Sequence, residues 1–140
     1  MKFFQARIVT NDVPRLIRFY RELTGLMPTG DDRYAEFHDD HFGLAISSQQ
    51  LIELSSAGAT TPASNRSVIL DFEVEDVEVE RARLRNLVTH VVLEPTTHPW
   101  GNRAMLFRDP DGNLINFFSD PRKAAETSRE GAGASQGDRR

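Results

Sequence analysis

RDPDGNLINFF, residues 108–118, decides how the chain is read. A charged residue and Asp-Pro-Asp-Gly run directly into an apolar stretch broken by one amide, Asn116. Proline sets φ near the value a turn needs and glycine accepts positive φ, so DPDG predicts a tight turn. After the turn, Leu114, Asn116 and Phe118 fall on one face of a strand, because side chains alternate with period two. Upstream, RAMLFR supplies the other strand of a hairpin. Asn116 therefore sits between two apolar groups on one strand face.

The same pattern occurs earlier in the chain. RYAEFHDDHFGLAI, residues 33–46, can be laid beside RAMLFRDPDGNLIN, residues 103–116. Phe37 then meets Phe107, Asp39 meets Asp109, Leu44 meets Leu114 and Ile46 meets Asn116. Further upstream, FFQARIV (3–9) alternates, with Phe4, Ala6 and Ile8 on one face and Gln5, Arg7 and Val9 on the other. TNDVP follows as a turn with Asn11 or Asp12 as N-cap and Pro14 early in a helix. Leu16, Phe19, Tyr20 and Leu23 recur at helical spacing, and Gly25 can end that helix. In the second half, SVILDFEV (67–74) reads as a strand and EDVEVERARLRNL (75–87) as a loosely periodic helix. NDV at 11–13 and EDV at 75–77 match at an offset of 64 residues. HVVLEP, from residue 90, adds a strand whose first-half counterpart near Leu26 and Met27 is poor. Each half reads β-α-β-β-β, and a repeat of this size implies two packed copies. ATTPASN, 59–65, links them. The prediction is an α+β fold of two βαβββ modules, about 3–58 and 66–120, whose curled mixed sheets form a central cleft. The modules make one domain over residues 1–121.

The chain has 140 residues, which suits a single domain. Residues 122–140 contain no aromatic, Leu, Ile, Val or Met. Such a segment cannot offset its ordering entropy by burial and predicts a disordered tail. A net charge of -4 argues against general nucleic-acid binding, which draws its affinity from clustered positive charge. The absence of cysteine removes disulfides, thiolate nucleophiles and Cys-based metal sites. No apolar run reaches the roughly 18 residues of a membrane span, and MKFFQARIV lacks the features of a signal peptide. A cytoplasmic protein, with no membrane partner, is expected.

NDVPRLIRFYRELTGL (11–26), FEVEDVEVERARL (72–84) and PWGNRAMLFRDPDGNLINFF (99–118) together resemble the vicinal oxygen chelate superfamily. That superfamily includes glyoxalases, extradiol dioxygenases and bleomycin-resistance proteins. The likeness covers essentially residues 3–120, is specific for fold and says little about reaction. It implies paired βαβββ modules around a cleft, and a homodimer. Members with metal chemistry usually carry a His in the first strand of each module, seven residues before the Asp of the following turn, and a Glu in the final strand. Here those positions fall on Gln5 and Ile69, and on Asn116 with Ile46 as its first-module counterpart. None is a His or a carboxylate, and isoleucine offers no donor atom, so no metal and no cofactor are expected in the cleft.

The candidate cleft residues are Gln5, Arg7, Ile69, Asp71, Trp100, Asn116 and Phe118. Arg7 shares a face with Gln5 and is either an inward cation for a carboxylate or phenolate or an exposed ladder residue. Asp71 and Glu73 share the face of Ile69. Trp100, in a Pro/Gly loop, either stacks on a planar ligand or covers the edge of the core. In the empty protein Asn116 needs a partner, water or Gln5. No catalytic residue is assigned. His98 has the intrinsic pKa of a general base, but the sequence supplies neither nucleophile nor orienting partner. HDDH, 38–41, reads either as a fortuitous metal site or as a polar hairpin connection. There is no GxGxxG, GKS, GKT or GxSxG, and glycine-rich EGAGASQG (130–137) has no neighbouring strand. The expected function is non-catalytic binding of a small aromatic or amphipathic molecule, similar to the antibiotic-sequestering, bleomycin-resistance type. The alternative is a metal-independent isomerase, lyase or hydrolase of the same fold.

Overall fold

The computed structural model describes residues 1–123, so most of the expected tail, 122–140, lies outside the described residues. The first module runs β1 (Ala6–Thr10), α1 (Val13–Thr24), β2 (Thr29–Gly30), β3 (Tyr34–His38), β4 (Gly43–Ser48) and α2 (Gln49–Ser56). The second runs β5 (Ile69–Glu73), α3 (Val77–Arg83), β6 (Val91–Thr97), β7 (Arg103–Arg108) and β8 (Leu114–Ser119). Each module makes a four-stranded mixed sheet, ordered β1-β4-β3-β2 and β5-β8-β7-β6. The first and last strands pair in parallel and the others antiparallel. This is the α+β arrangement of two βαβββ modules, with neither sheet closed into a barrel.

Local chemistry explains the repeat. Asp12 caps α1 by accepting from the Arg15 N–H at 3.1 Å. Asp76 caps α3 by accepting from the N–H groups of Glu78 and Val79. Gly25 ends α1 in the left-handed region, φ 73°, and its N–H returns to the Arg21 carbonyl. The expected helix over 75–87 stops at Arg83. The following residues form tighter turns that bury Leu84 and Val88. The helix α2 has no counterpart in the reading of the sequence. Its one buried residue is Ile52, so it has no apolar stripe to betray it.

The core faces of both sheets and the two longer connections share one cluster. Val13, Leu16, Phe19, Tyr20 and Leu23 of α1 join Phe37, Leu44 and Ile46 of the first sheet. Val77, Leu84 and Val88 join Met105, Phe107, Ile115 and Phe117 of the second. The modules are also pinned by specific contacts. The Tyr20 hydroxyl donates to Asp109 Oδ2 at 2.6 Å. Arg83 donates to the carbonyls of Glu22 and Leu23 at the end of α1, and the rings of Phe42 and Phe72 meet edge to face. Burying one face of each sheet leaves the opposite faces, with Gln5 and Arg7 on one and Asp71 and Asn116 on the other, directed away from the core.

One register expectation is corrected. Ile46 is fully buried and faces the core; Ala45, not Ile46, is the counterpart of Asn116. Arg7 pairs with Ala45 as Asp71 pairs with Asn116. The cause is loop length. Phe37 pairs with Leu44, whereas Phe107 pairs with Ile115, so the second hairpin holds one residue more. A slip of one residue moves a side chain to the other face of a strand.

Candidate functional site

The open face of the first sheet carries a continuous polar network. Gln5 precedes β1, and its Nε2 donates to the Tyr34 hydroxyl at 3.0 Å. That hydroxyl donates to Glu36 Oε1 at 2.6 Å. His38 Nε2 lies 2.9 Å from Gln5 Oε1 and 3.7 Å from Glu36 Oε2. An amide oxygen only accepts, so His38 must carry its proton on Nε2 for this bond, which leaves Nδ1 as the ring's second position. Burial pushes the Tyr34 phenol up, and the hydrogen bond to Glu36 adds to the shift. The His38 ring is cradled: Phe4 packs on it with centroids 4.9 Å apart. A Cβ on Gly43 would lie 2.5 Å from His38 Cε1. Among the described residues, Arg7 on the same face makes no hydrogen bond or ion pair.

The open face of the second sheet brings together four of the residues singled out from sequence. Ile69 pairs with Leu114, Asp71 with Asn116 and Glu73 with Phe118. Asn116 Nδ2 donates to Asp71 Oδ1 at 3.0 Å, and Asn116 Oδ1 is buried without a protein partner. The expected pairing of Asn116 with Gln5 is corrected. The two amides belong to different sheets: Gln5 is bound on both its amide atoms by Tyr34 and His38, whereas Asn116 reaches Asp71 through Nδ2 alone. Glu73 forms an ion pair with Lys123 at 3.2 Å. Trp100 sits in the turn between β6 and β7, 66% exposed and stacked on His98 at 4.4 Å. It rests on neither the core nor either network.

Between the edge strands β1 and β5 runs a groove of about 480 Å³. Ala6, Ile8, Val9, Val68 and Leu70 give it apolar walls; Arg7, Asn65 and Asn113 contribute polar groups. The linker closes one side, where Asn65 Nδ2 donates to Asn113 Oδ1 at 3.2 Å. Of the residues expected in a single cleft, the structure places Arg7 here. Gln5 lies in the first-sheet network and Ile69, Asp71, Asn116 and Phe118 on the second sheet. The reading of the sequence missed Tyr34 and Glu36 and took His38 for part of a connection. The signal was present, since Tyr34, Glu36 and His38 alternate in YAEFH and must share a strand face.

A family model described as the Glyoxalase/Bleomycin resistance protein/Dioxygenase superfamily matches residues 2–117. The chain belongs to this superfamily. Uncharacterized protein YraH of Bacillus subtilis (strain 168) is 26% identical over 125 residues, covering 84% of this chain and 98% of that protein. A protein of unknown function from Agrobacterium tumefaciens str. C58 superposes with a TM-score of 0.72 at 27% identity, covering 86% of this chain and 94% of its own. A glyoxalase-related enzyme from Fulvimarina pelagi superposes with a TM-score of 0.74 at 19% identity, covering 86% and 89%. That last likeness is one of fold alone. The positions at which metal-dependent members of the glyoxalase superfamily hold an ion are Gln5, Ala45, Ile69 and Asn116 in this chain. Alanine and isoleucine offer no donor atom and the two amides are weak ligands, so these residues do not fit a divalent ion. Among the described residues no group of three or more His, Cys, Asp or Glu could hold one elsewhere. Among the described residues, no helix is long and apolar enough to cross a membrane.

Proposed function

We propose that this glyoxalase-superfamily protein binds a small amphipathic molecule, with an aromatic or aliphatic body and one anionic group, without transforming it. The observation that carries this reading is the groove between β1 and β5, with its apolar walls and the unpaired Arg7 guanidinium. Its volume of about 480 Å³ suits a small organic ligand. Apolar walls supply affinity by removing surface from water, and one cation orients a carboxylate, phenolate or sulfonate. Sequestration of a toxic compound, as in bleomycin-resistance proteins, is the role in this superfamily that such a groove fits best. A homodimer belongs to the same reading and is supported by exposed Ile69 and Val68 at the groove's margin; light scattering tests it, and a monomer mass at all concentrations removes it.

The groove is tested with anilinonaphthalene sulfonate, an apolar fluorescent anion. Arg7→Ala should weaken its binding by roughly 1 kcal/mol, the modest value for a solvent-accessible charge, or about fivefold in Kd. Val9→Asp should abolish it. Binding that is unchanged in both variants would remove the groove from the function.

A second reading, acid–base catalysis without metal, is favoured by the network of Gln5, Tyr34, Glu36 and His38. There Gln5 and Glu36 hold an imidazole and a phenol in defined orientations, as a proton-transfer site requires. It is separated from the first by recovering a bound natural ligand after long incubation. Chemical conversion that is lost in His38→Gln supports the enzyme, and an unchanged ligand supports the binder.

A further inference from the structure

A second cavity, of about 530 Å³, lies between α1 and the turn joining β7 to β8. It shares no residue with the groove. Three arginines line it: Arg15 and Arg18, one helical turn apart on α1, and Arg108 at the end of β7. The chain as a whole carries a net charge of -4, so three guanidinium groups around one cavity run against its overall balance. Among the described residues none of the three forms an ion pair. Arg15 does feel the charge of Asp111.

Two carboxylates also line the cavity, Glu22 and Asp109. Asp109 is buried and already committed. It accepts from the Tyr20 hydroxyl, the Asn113 amide and the backbone N–H groups of Asp111 and Asn113. Its lone pairs are occupied, so it does not neutralise the arginines at hydrogen-bonding range. Glu22 is exposed at the rim. Arg108 is fixed in place, because its Nη1 donates to the Gly112 carbonyl at 2.9 Å. The rest of its planar fork remains free to bind, at little further cost in side-chain entropy. Phe19, Leu87 and Pro110 give the same cavity an apolar side.

We infer that this cavity is a binding site for a phosphate monoester, with Arg15, Arg18 and Arg108 on the phosphate and Phe19, Leu87 and Pro110 against its organic part. A dianion with three peripheral oxygens uses three converging guanidinium groups, each through charge-assisted hydrogen bonds, better than a carboxylate does. Free phosphate shares the charged half of this chemistry, and the apolar side distinguishes the ester.

The test is an amide NMR titration of the full chain with phenyl phosphate, inorganic phosphate and acetate at constant ionic strength. Saturable shifts should appear at residues 15–22 and 108–112 with both phosphates, the ester binding more tightly, and be absent with acetate. The Arg18→Gln, Arg108→Gln double variant should bind phenyl phosphate at least roughly tenfold more weakly. Arg66→Gln, just after the linker and outside the lining of this cavity, should bind as the wild type does. Should the loss of Arg108 unfold the protein, Arg15→Gln with Arg18→Gln, both on the exposed surface of α1, carries the same expectation. Shifts that never saturate, equal response to acetate, or wild-type affinity in the folded arginine variants would overturn the assignment.

Discussion

Gly43 carries no side chain, and the position of His38 depends on it. A Cβ there would lie 2.5 Å from His38 Cε1 and 2.6 Å from the Phe4 carbonyl oxygen, closer than real contacts allow. Gly43→Ala should therefore either expel the imidazole from Gln5 or push the chain before β1 outward. The expected cost is about 1–3 kcal/mol, the range for overpacking, read as a lower urea midpoint. Adding His38→Ala should recover part of the loss, and no recovery would place the strain on the backbone instead. Asp111 is a different kind of residue. Burial raises its pKa, and nearby Asp109 and Asp12 push the same way against Thr10 and Arg15. A carboxyl whose folded pKa is raised favours the fold when protonated, and that advantage disappears as pH rises through the folded value. Asp111→Asn removes the ionisation. Its stability relative to wild type should improve from acidic to neutral pH, as urea unfolding at a series of pH values will show. A difference independent of pH would mean that the Asp111 carboxylate is not penalised by its surroundings.

At the scale of elements, the two modules start their helices with the same device. Asp12 and Asp76 each accept backbone N–H groups that the first helical turn leaves without partners. Asp12→Ala should cost about 1 kcal/mol, measured as a fall in the thermal midpoint, because α1 supplies five buried residues to the core. A loss indistinguishable from zero would show that Pro14 and tertiary packing suffice to begin the helix. The hairpins show how far the repeat can be trusted. Asp39 and Asp109 both accept N–H groups of their own turns, so the turn chemistry is common to both. The second turn nevertheless holds one residue more, which is why Ala45 rather than Ile46 stands opposite Asn116.

For the molecule as a whole, Tyr20 is the most informative contact. It is fully buried on α1, yet its hydroxyl reaches Asp109 of the other module at 2.6 Å. Tyr20→Phe leaves a buried carboxylate short of one donor and should cost about 1–3 kcal/mol. The pH dependence adds a second signature. Burial first, and then the charge of Asp109, raise the Tyr20 pKa well above its ordinary value of 10.0. The folded state thus holds the phenolic proton more tightly than the unfolded chain does. Its contribution is complete below the unfolded pKa and is lost as pH rises beyond it. Wild type should lose stability in alkali more steeply than Tyr20→Phe, followed by unfolding midpoints on either side of pH 10, the phenol's ordinary value. Parallel curves would mean that ionisation of Tyr20 plays no part in alkaline unfolding.

The βαβββ order within each module, apart from α2, the helix end at Gly25, an N-cap at Asn11 or Asp12 and the alternation that turns Arg7, Asp71 and Asn116 away from the core faces were legible in the sequence. They follow from local rules: turn residues, helical spacing and the two-residue period of a strand. The way the two open faces stand to one another was not legible. Alternation says that Gln5, Arg7, Asp71 and Asn116 turn away from the core, but it does not say whether two sheets direct those faces toward each other. That depends on how the modules pack, which Tyr20, Asp109, Arg83 and the shared apolar cluster decide through contacts between residues far apart in the chain. That packing leaves a groove at the edges of β1 and β5, with Arg7 in its lining. The alliance of Gln5 with Tyr34 and His38, and the gathering of Arg15, Arg18 and Arg108 around one cavity, arise in the same way. Each joins segments whose proximity exists only after the sheets and helices have packed.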